Sequence, residues 1–182
     1  MTGASPDPRS APGFDVAADL AASVVAGLAA RGLMLATAEA SVGGMIGHLL
    51  TNVPGASRCF IGGIAPYARG PKTDLLHVDG AMLTAEGSVS APAAAALARG
   101  AREAMRADVA IAETGVASET GNPLRPGGMY FVAIAAPDFE RVMRCQFAGT
   151  RAENKRQASE AALRLVLDYL DESSGETRAA TG

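Results

Sequence analysis

Leu33-Met34-Leu35-Ala36-Thr37-Ala38-Glu39-Ala40-Ser41-Val42-Gly43-Gly44 is the stretch on which the fold turns. A short apolar run ends in an acidic residue, small residues and a Gly-Gly pair. The chain then turns helical through Met45, Ile46, Leu49 and Leu50. The pattern predicts a strand over 33–37, a tight loop and a helix over about 43–51. Free backbone N–H groups and the positive end of the helix dipole would face whatever sits above the loop. In an open α/β sheet, ligands bind at the carboxyl ends of strands, where such loops lie. Glu39, Ser41, Gly43 and Gly44 are therefore candidates for a binding or catalytic site. For Ser41 the competing role is N-cap of the following helix, and spacing alone favours it.

Upstream, Asp15 can cap a helix whose apolar stripe is Val16, Leu20, Val24 and Leu28, with Gly32 ending it. Downstream, a strand over 58–67 is broken by Gly62-Gly63, a sign of a bulge or a close backbone approach. Pro71 opens a short helix, PKTDLLHV, and a loop leads on to Ser90, the N-cap of an alanine-rich helix reaching about Arg106. Strands are expected over 108–113, 129–136 and 141–147, the last two antiparallel through Pro137-Asp138. The Gly- and Pro-rich loop 114–128 is long enough to be functional or mobile. Thr150 and Glu153 form a capping box for the last helix. The order αβαβααβββα predicts an α/β fold, a three-layer α/β/α domain with a mixed sheet. The expected organisation is a disordered arm at 1–14, one domain over 15–171 and a disordered tail at 172–182.

With 182 residues, 48% of them hydrophobic, the chain can bury one real core. A net charge of −3 argues against a nucleic-acid surface. No apolar run approaches the roughly 20 residues of a membrane helix, and the N-terminus lacks the apolar core of a signal peptide. Cys59 and Cys145 lie in apolar runs and read as buried free thiols, which points to the cytoplasm.

His48 and His77, the only histidines, have no second ligand at metal spacing, so neither a metal nor a cofactor is expected. Lys72, just after Pro71, would sit at the start of a helix, where the dipole and burial both lower an amine's pKa and fit it to act as a base. The plain alternative is a solvated lysine. Tyr67 could donate its phenol to the same site, or simply end a strand with its hydroxyl in water. Arg151 and Lys155 share a face at the start of the last helix and could hold a phosphate; a solvated charged face explains them equally well.

These blocks together resemble the CinA C-terminal domain family, whose active members are nicotinamide mononucleotide deamidases. The resemblance covers residues 15–170. Ala38-Glu39-Ala40-Ser41-Val42-Gly43-Gly44 stands where the family has A-E-S-C-T-G-G. Thr51-Asn52-Val53-Pro54-Gly55-Ala56-Ser57 is similar to its T-x-V-P-G-S-S block. Phe60, Gly63, Tyr67 and Lys72 match its F-x-G-G-x-x-x-Y-x-x-x-x-K. Residues 87–91, GSVSA, resemble its G-A-V-S-E. Thr114-Gly115-Val116-Ala117 follow its T-G-I-A, with Ser118-Glu119 in place of Gly-Pro. Phe147, Gly149, Arg151, Lys155 and Ala158 complete the series. The resemblance implies an amidohydrolase acting on the carboxamide of nicotinamide mononucleotide or a related pyridine-nucleotide-like compound. It implies Lys72 as base, Thr114 and Gly115 among the substrate-binding residues, and a homo-oligomer.

The nucleophilic serine of that motif is Ala40 here, and its threonine is Val42. Four readings follow. Alanine was introduced to trap a substrate, and the hydrolase is otherwise intact. Ser41 has taken over as nucleophile, through a rearranged loop. The chain is a natural pseudoenzyme that binds a nucleotide-like ligand. Or Lys72 and Tyr67 do other chemistry on a related ligand. The first stands slightly ahead of the third, and the codon at position 40 separates them. Ser118, Glu119, Asn122 and Arg125 make the long loop more polar than the family pattern, which suggests a larger or modified ligand.

Overall fold

The computed structural model describes the backbone of residues 14–179 and the side chains of 16–173. The focal strand, β1 (Leu35–Glu39), lies two residues later than expected and includes Glu39. That shift decides where the side chains go. A strand alternates its faces, so Leu35 joins one core cluster while Ala36, Ala38 and Ala40 join the other. Thr37 and Glu39 share the face of Leu35.

Before it runs α1 (Phe14–Arg31), which begins one residue ahead of Asp15, so Asp15 is not its cap. Gly32 ends that helix with φ 65°. After β1 come α2 (Met45–Thr51), a 3-10 turn at Ala56–Arg58 and β2 (Phe60–Ile64). In β2 the register jumps from Leu35↔Phe60 to Ala36↔Gly62, leaving Ile61 as the extra residue of a bulge. The helix expected from Pro71 instead starts earlier: α3 is Arg69–Asp74. His77 follows it with φ 52° rather than within it. Where a loop was expected, Asp79 caps a further short helix, α4 (Gly80–Ala85), by accepting from Ala81 N at 2.8 Å. Ser90 caps α5 (Ala91–Met105) as expected, accepting from Ala93 N at 3.3 Å.

The remaining elements are β3 (Val109–Gly115), β4 (Met129–Ala136), β5 (Phe139–Gln146) and α6 (Arg151–Ala179). The Thr150–Glu153 capping box forms reciprocally, with Thr150 N donating to Glu153 Oε2 at 2.8 Å and Glu153 N donating to Thr150 Oγ1 at 3.4 Å. The helix runs on to Ala179, through most of the segment read as a tail. The expected arm, apart from Phe14 at the start of α1, lies outside the described residues.

The sheet order is β2-β1-β3-β4-β5. β2, β1 and β3 are parallel, and β3-β4-β5 are antiparallel. One face carries a core of α1, α2 and α6 side chains; the other is covered by alanine-rich α5. This is the expected three-layer single domain with a mixed sheet. The chain leaves β1 toward β2 through α2 and returns to the far side of β1 as β3 through α5. The topological switch point therefore lies at the carboxyl ends of β1 and β3, where open sheets of this kind bind ligands. Both cysteines are free; Cys59 is buried, but Cys145, on the edge strand β5, is only half-buried. No helix among the described residues is long and apolar enough to cross a membrane.

Candidate ligand site

A cavity of about 260 Å³ opens at the switch point. Its wall combines Ala40 and Ser41 after β1, Tyr67 just before α3, Lys72 in α3, Ser88-Val89, residues 114–118 at and beyond the end of β3, and Arg151 at the start of α6. Of the candidates read from sequence, Ala40, Ser41, Tyr67, Lys72, Thr114, Gly115 and Arg151 meet there. Glu39, Gly43, Gly44 and Lys155 do not line it.

Glu39 is absent from the wall because β1 continues through it and turns its side chain to the α2 face. Its carboxylate accepts from Ile46 N and Gly47 N, each at 2.9 Å, and from Thr37 Oγ1 at 3.0 Å. It thus satisfies the orphan donors and the positive dipole end of α2. Gly43 and Gly44, with φ 68° and 97°, supply the left-handed turn into that helix.

Ser41 is held on both sides. Its N–H donates to Glu113 Oε1 at 2.6 Å, and its hydroxyl donates to Gly115 O at 3.0 Å while accepting from Gly115 N at 2.6 Å. It is not the N-cap of α2, a place taken by Gly44. Its single hydroxyl proton is committed to backbone. Ala40 donates its N–H to Glu113 O at 3.2 Å and offers only a methyl to the cavity.

Lys72 is 2% exposed, so the solvated alternative fails. The helix-start argument fails too, because α3 begins three residues earlier and Lys72 sits in its last turn. The amine reaches back to three carbonyls: it donates to Pro66 O, to Tyr67 O at 3.0 Å and to Ala68 O at 3.4 Å. Burial lowers its pKa, and the nearby Glu113 charge offsets part of that. Tyr67 itself is 70% exposed at the rim.

Thr114 is buried and donates its hydroxyl to Ser88 O at 2.7 Å, tying two walls together. Gly115 has no room for a side chain, since a Cβ would stand 2.2 Å from Tyr130 Cδ1. Of the four polar residues singled out in the long loop, Ser118, Glu119, Asn122 and Arg125, only Ser118 reaches the cavity. Asn122 and Arg125 close the loop's own turn, and the Arg125 guanidinium donates to Glu86 O at 3.2 Å. Arg151 is exposed at the rim, on the first residue of α6. Among the described residues no group of three or more His, Cys, Asp or Glu side chains could hold a metal.

Three buried polar positions behind the cavity wall escaped the sequence reading. Glu113, fully buried, accepts from Ser41 N and from Val42 N at 2.9 Å through Oε1, while Oε2 has no partner. Burial pushes its carboxyl up to about 7; the Val42 and Ser41 groups pull it down, and the neighbouring Glu39 charge pushes it up again. The signal was present, because LATAE and VAIAE are two apolar runs that each close in Ala-Glu, although β3 goes on to Gly115. Tyr130, buried beneath Gly115, has an unpartnered hydroxyl whose pKa burial raises, with the Glu113 charge adding and Arg151 offsetting. Asn154, buried in the first turns of α6, donates to Ala117 O at 3.0 Å and Gly149 O at 2.8 Å and accepts from Gly149 N at 3.0 Å.

Residues 17–170 match the model of the CinA C-terminal domain. The chain belongs to the CinA C-terminal domain family. Curated CinA-like proteins from Chlorobium limicola and Chlorobaculum tepidum are 41% identical over 159 residues and 43% identical over 148. These alignments take in 84% and 78% of this chain, but only 37% and 35% of the relatives, so the chain spans little more than a third of their length. Among solved structures, the competence/damage inducible protein CihA from Agrobacterium tumefaciens is 31% identical with a TM-score of 0.79, over 86% of this chain and 96% of that one. A CinA superfamily protein from Escherichia coli is 26% identical with a TM-score of 0.81, over 92% and 94%.

Proposed function

We propose that the cavity binds a phosphate-bearing pyridine-nucleotide-like amide, nicotinamide mononucleotide or a close relative, and that with alanine at position 40 it holds this ligand without cleaving the carboxamide. One observation carries the reading: the cavity has polar walls and a cationic rim, but position 40 carries no hydroxyl and the groups beside it are engaged elsewhere. Ala40 presents a methyl group, the Ser41 hydroxyl is exchanged with Gly115, and the Lys72 amine is directed at three carbonyls. Arg151 and the N-terminus of α6 suit a phosphate, and the rim's exposed Tyr67 offers a face for a flat ring. Takeover by Ser41 would require breaking both of its bonds to Gly115.

The second reading, an amidohydrolase whose position 40 is natively serine, is favoured by Lys72. A buried amine of lowered pKa in the same cavity as position 40 is the partner a serine nucleophile needs. Calorimetric titration with nicotinamide mononucleotide, paired with an ammonia-release assay of the unaltered protein and of Ala40→Ser, separates the two. Binding without ammonia from the unaltered protein supports the binding reading, and ammonia from Ala40→Ser shows that the hydrolytic framework is retained. Absence of binding by either protein contradicts both readings.

A further inference from the structure

Register pairing sets Glu39 and Glu113 side by side on β1 and β3, both buried. They grip opposite ends of one loop. Glu39 takes the N–H groups of Ile46 and Gly47; Glu113 takes those of Ser41 and Val42. The Glu39 carboxylate has partners on both oxygens, whereas Glu113 Oε2 has none. Glu113 does not touch the cavity, but the residues it holds, Ser41 and through its backbone Ala40, form the wall. We propose that Glu113 is a positioning residue of this site, whose charged carboxylate fixes the loop after β1 so that loss of the charge loosens the cavity wall and weakens ligand binding. The proposal rests on the binding reading above.

The groups that face Glu113 set the direction of its response. Glu39 on β1 opposes its ionisation, while Lys72 on α3 favours it; the buried Tyr130 on β4, its own pKa raised, stays neutral and adds no charge. Arg151, at the start of α6, acts from behind Tyr130. His48 on α2 is exposed and occupied with Asn52. Burial dominates, so the carboxylate gains a proton near neutral pH rather than in acid. Two charge-assisted hydrogen bonds then become neutral ones, which are roughly half as strong.

Glu113→Gln keeps a carbonyl oxygen for the two N–H groups and removes both charge and titration. The test titrates nicotinamide mononucleotide calorimetrically into the unaltered protein and into Glu113→Gln from pH 6 to pH 8.5. Titration of the ligand's own phosphate cancels in the ratio of the two affinities. That ratio is expected near one at pH 6, where Glu113 is mostly protonated, and to rise to about fivefold in favour of the unaltered protein at pH 8.5. A ratio that stays constant while both proteins bind overturns the proposal. Hydrogen exchange of the Ser41 and Val42 amides, corrected for intrinsic rates, supplies a readout without ligand. The proposal expects slower exchange in the unaltered protein at pH 8.5 and equal exchange at pH 6. Equal protection at both pH values overturns it. Absence of binding with the exchange difference present removes the binding reading and leaves the loop clamp standing.

Discussion

Replacing Glu113 by glutamine should change how stability depends on pH, by an amount the site itself fixes. The unfolded carboxyl titrates near 4.5, and in the folded chain burial lifts it to about 7. Between those values the folded protein keeps a proton that the unfolded chain has released. Stability therefore falls as pH rises through this window and levels off above it. At about 1.4 kcal/mol per pH unit, the full effect is about 3 kcal/mol. Glu113 is completely buried, so solvent screening takes little from that figure. Glutamine resembles the protonated acid at every pH, with its amide nitrogen in place of the unpartnered Oε2. The difference in unfolding free energy between the two proteins should therefore shift by about 3 kcal/mol from pH 4 to pH 9, in favour of the variant at the alkaline end. For a chain of this size that is a shift of about 6–12 °C in melting temperature. Urea denaturation of both proteins at unit pH steps measures it, and titrating groups that do not feel the Glu113 charge cancel in the difference. Parallel curves would refute the buried, raised carboxyl. Together with the loop clamp, this makes Glu113 a charge that costs global stability while fixing the site.

Other substitutions probe the remaining parts. Asn154→Ala removes three buried hydrogen bonds between α6 and the loops at Ala117 and Gly149, and should cost about 2–3 kcal/mol in chemical denaturation. Gly115→Ala forces a Cβ to within 2.2 Å of the Tyr130 ring, so a loss of about 1–3 kcal/mol is expected, together with a changed ligand affinity. Arg151→Ala should weaken nicotinamide mononucleotide by about tenfold and the phosphate-free riboside hardly at all, in calorimetry at fixed salt. Equal weakening of both ligands would mean that Arg151 does not meet the phosphate.

Much of the fold was legible because it rests on local rules. Hydrophobic period separated helices from strands, and the caps at Ser90 and Thr150–Glu153 form as read. The glycines of β2 marked a real bulge. What escaped depended on phase and on tertiary contact. A two-residue error in the start of β1 put Glu39 in the ligand loop rather than on the sheet face. Lys72 is buried against the cavity but not at a helix start; the start of α3 at Arg69 is not announced by a cap. Glu113 was read as the end of a strand, since its partners lie on a loop 71 and 72 residues away in sequence. Long-range pairing of that kind leaves only the faint trace of the two runs closing in Ala-Glu.

With alanine at position 40, the proposed site binds without cutting. Its most direct test is one sample of the unaltered protein with nicotinamide mononucleotide, followed by calorimetry and by ammonia release together. Saturable one-site binding is expected, with ammonia at the level of the protein-free blank. Ammonia produced in proportion to protein, or no heat of binding at all, would contradict it.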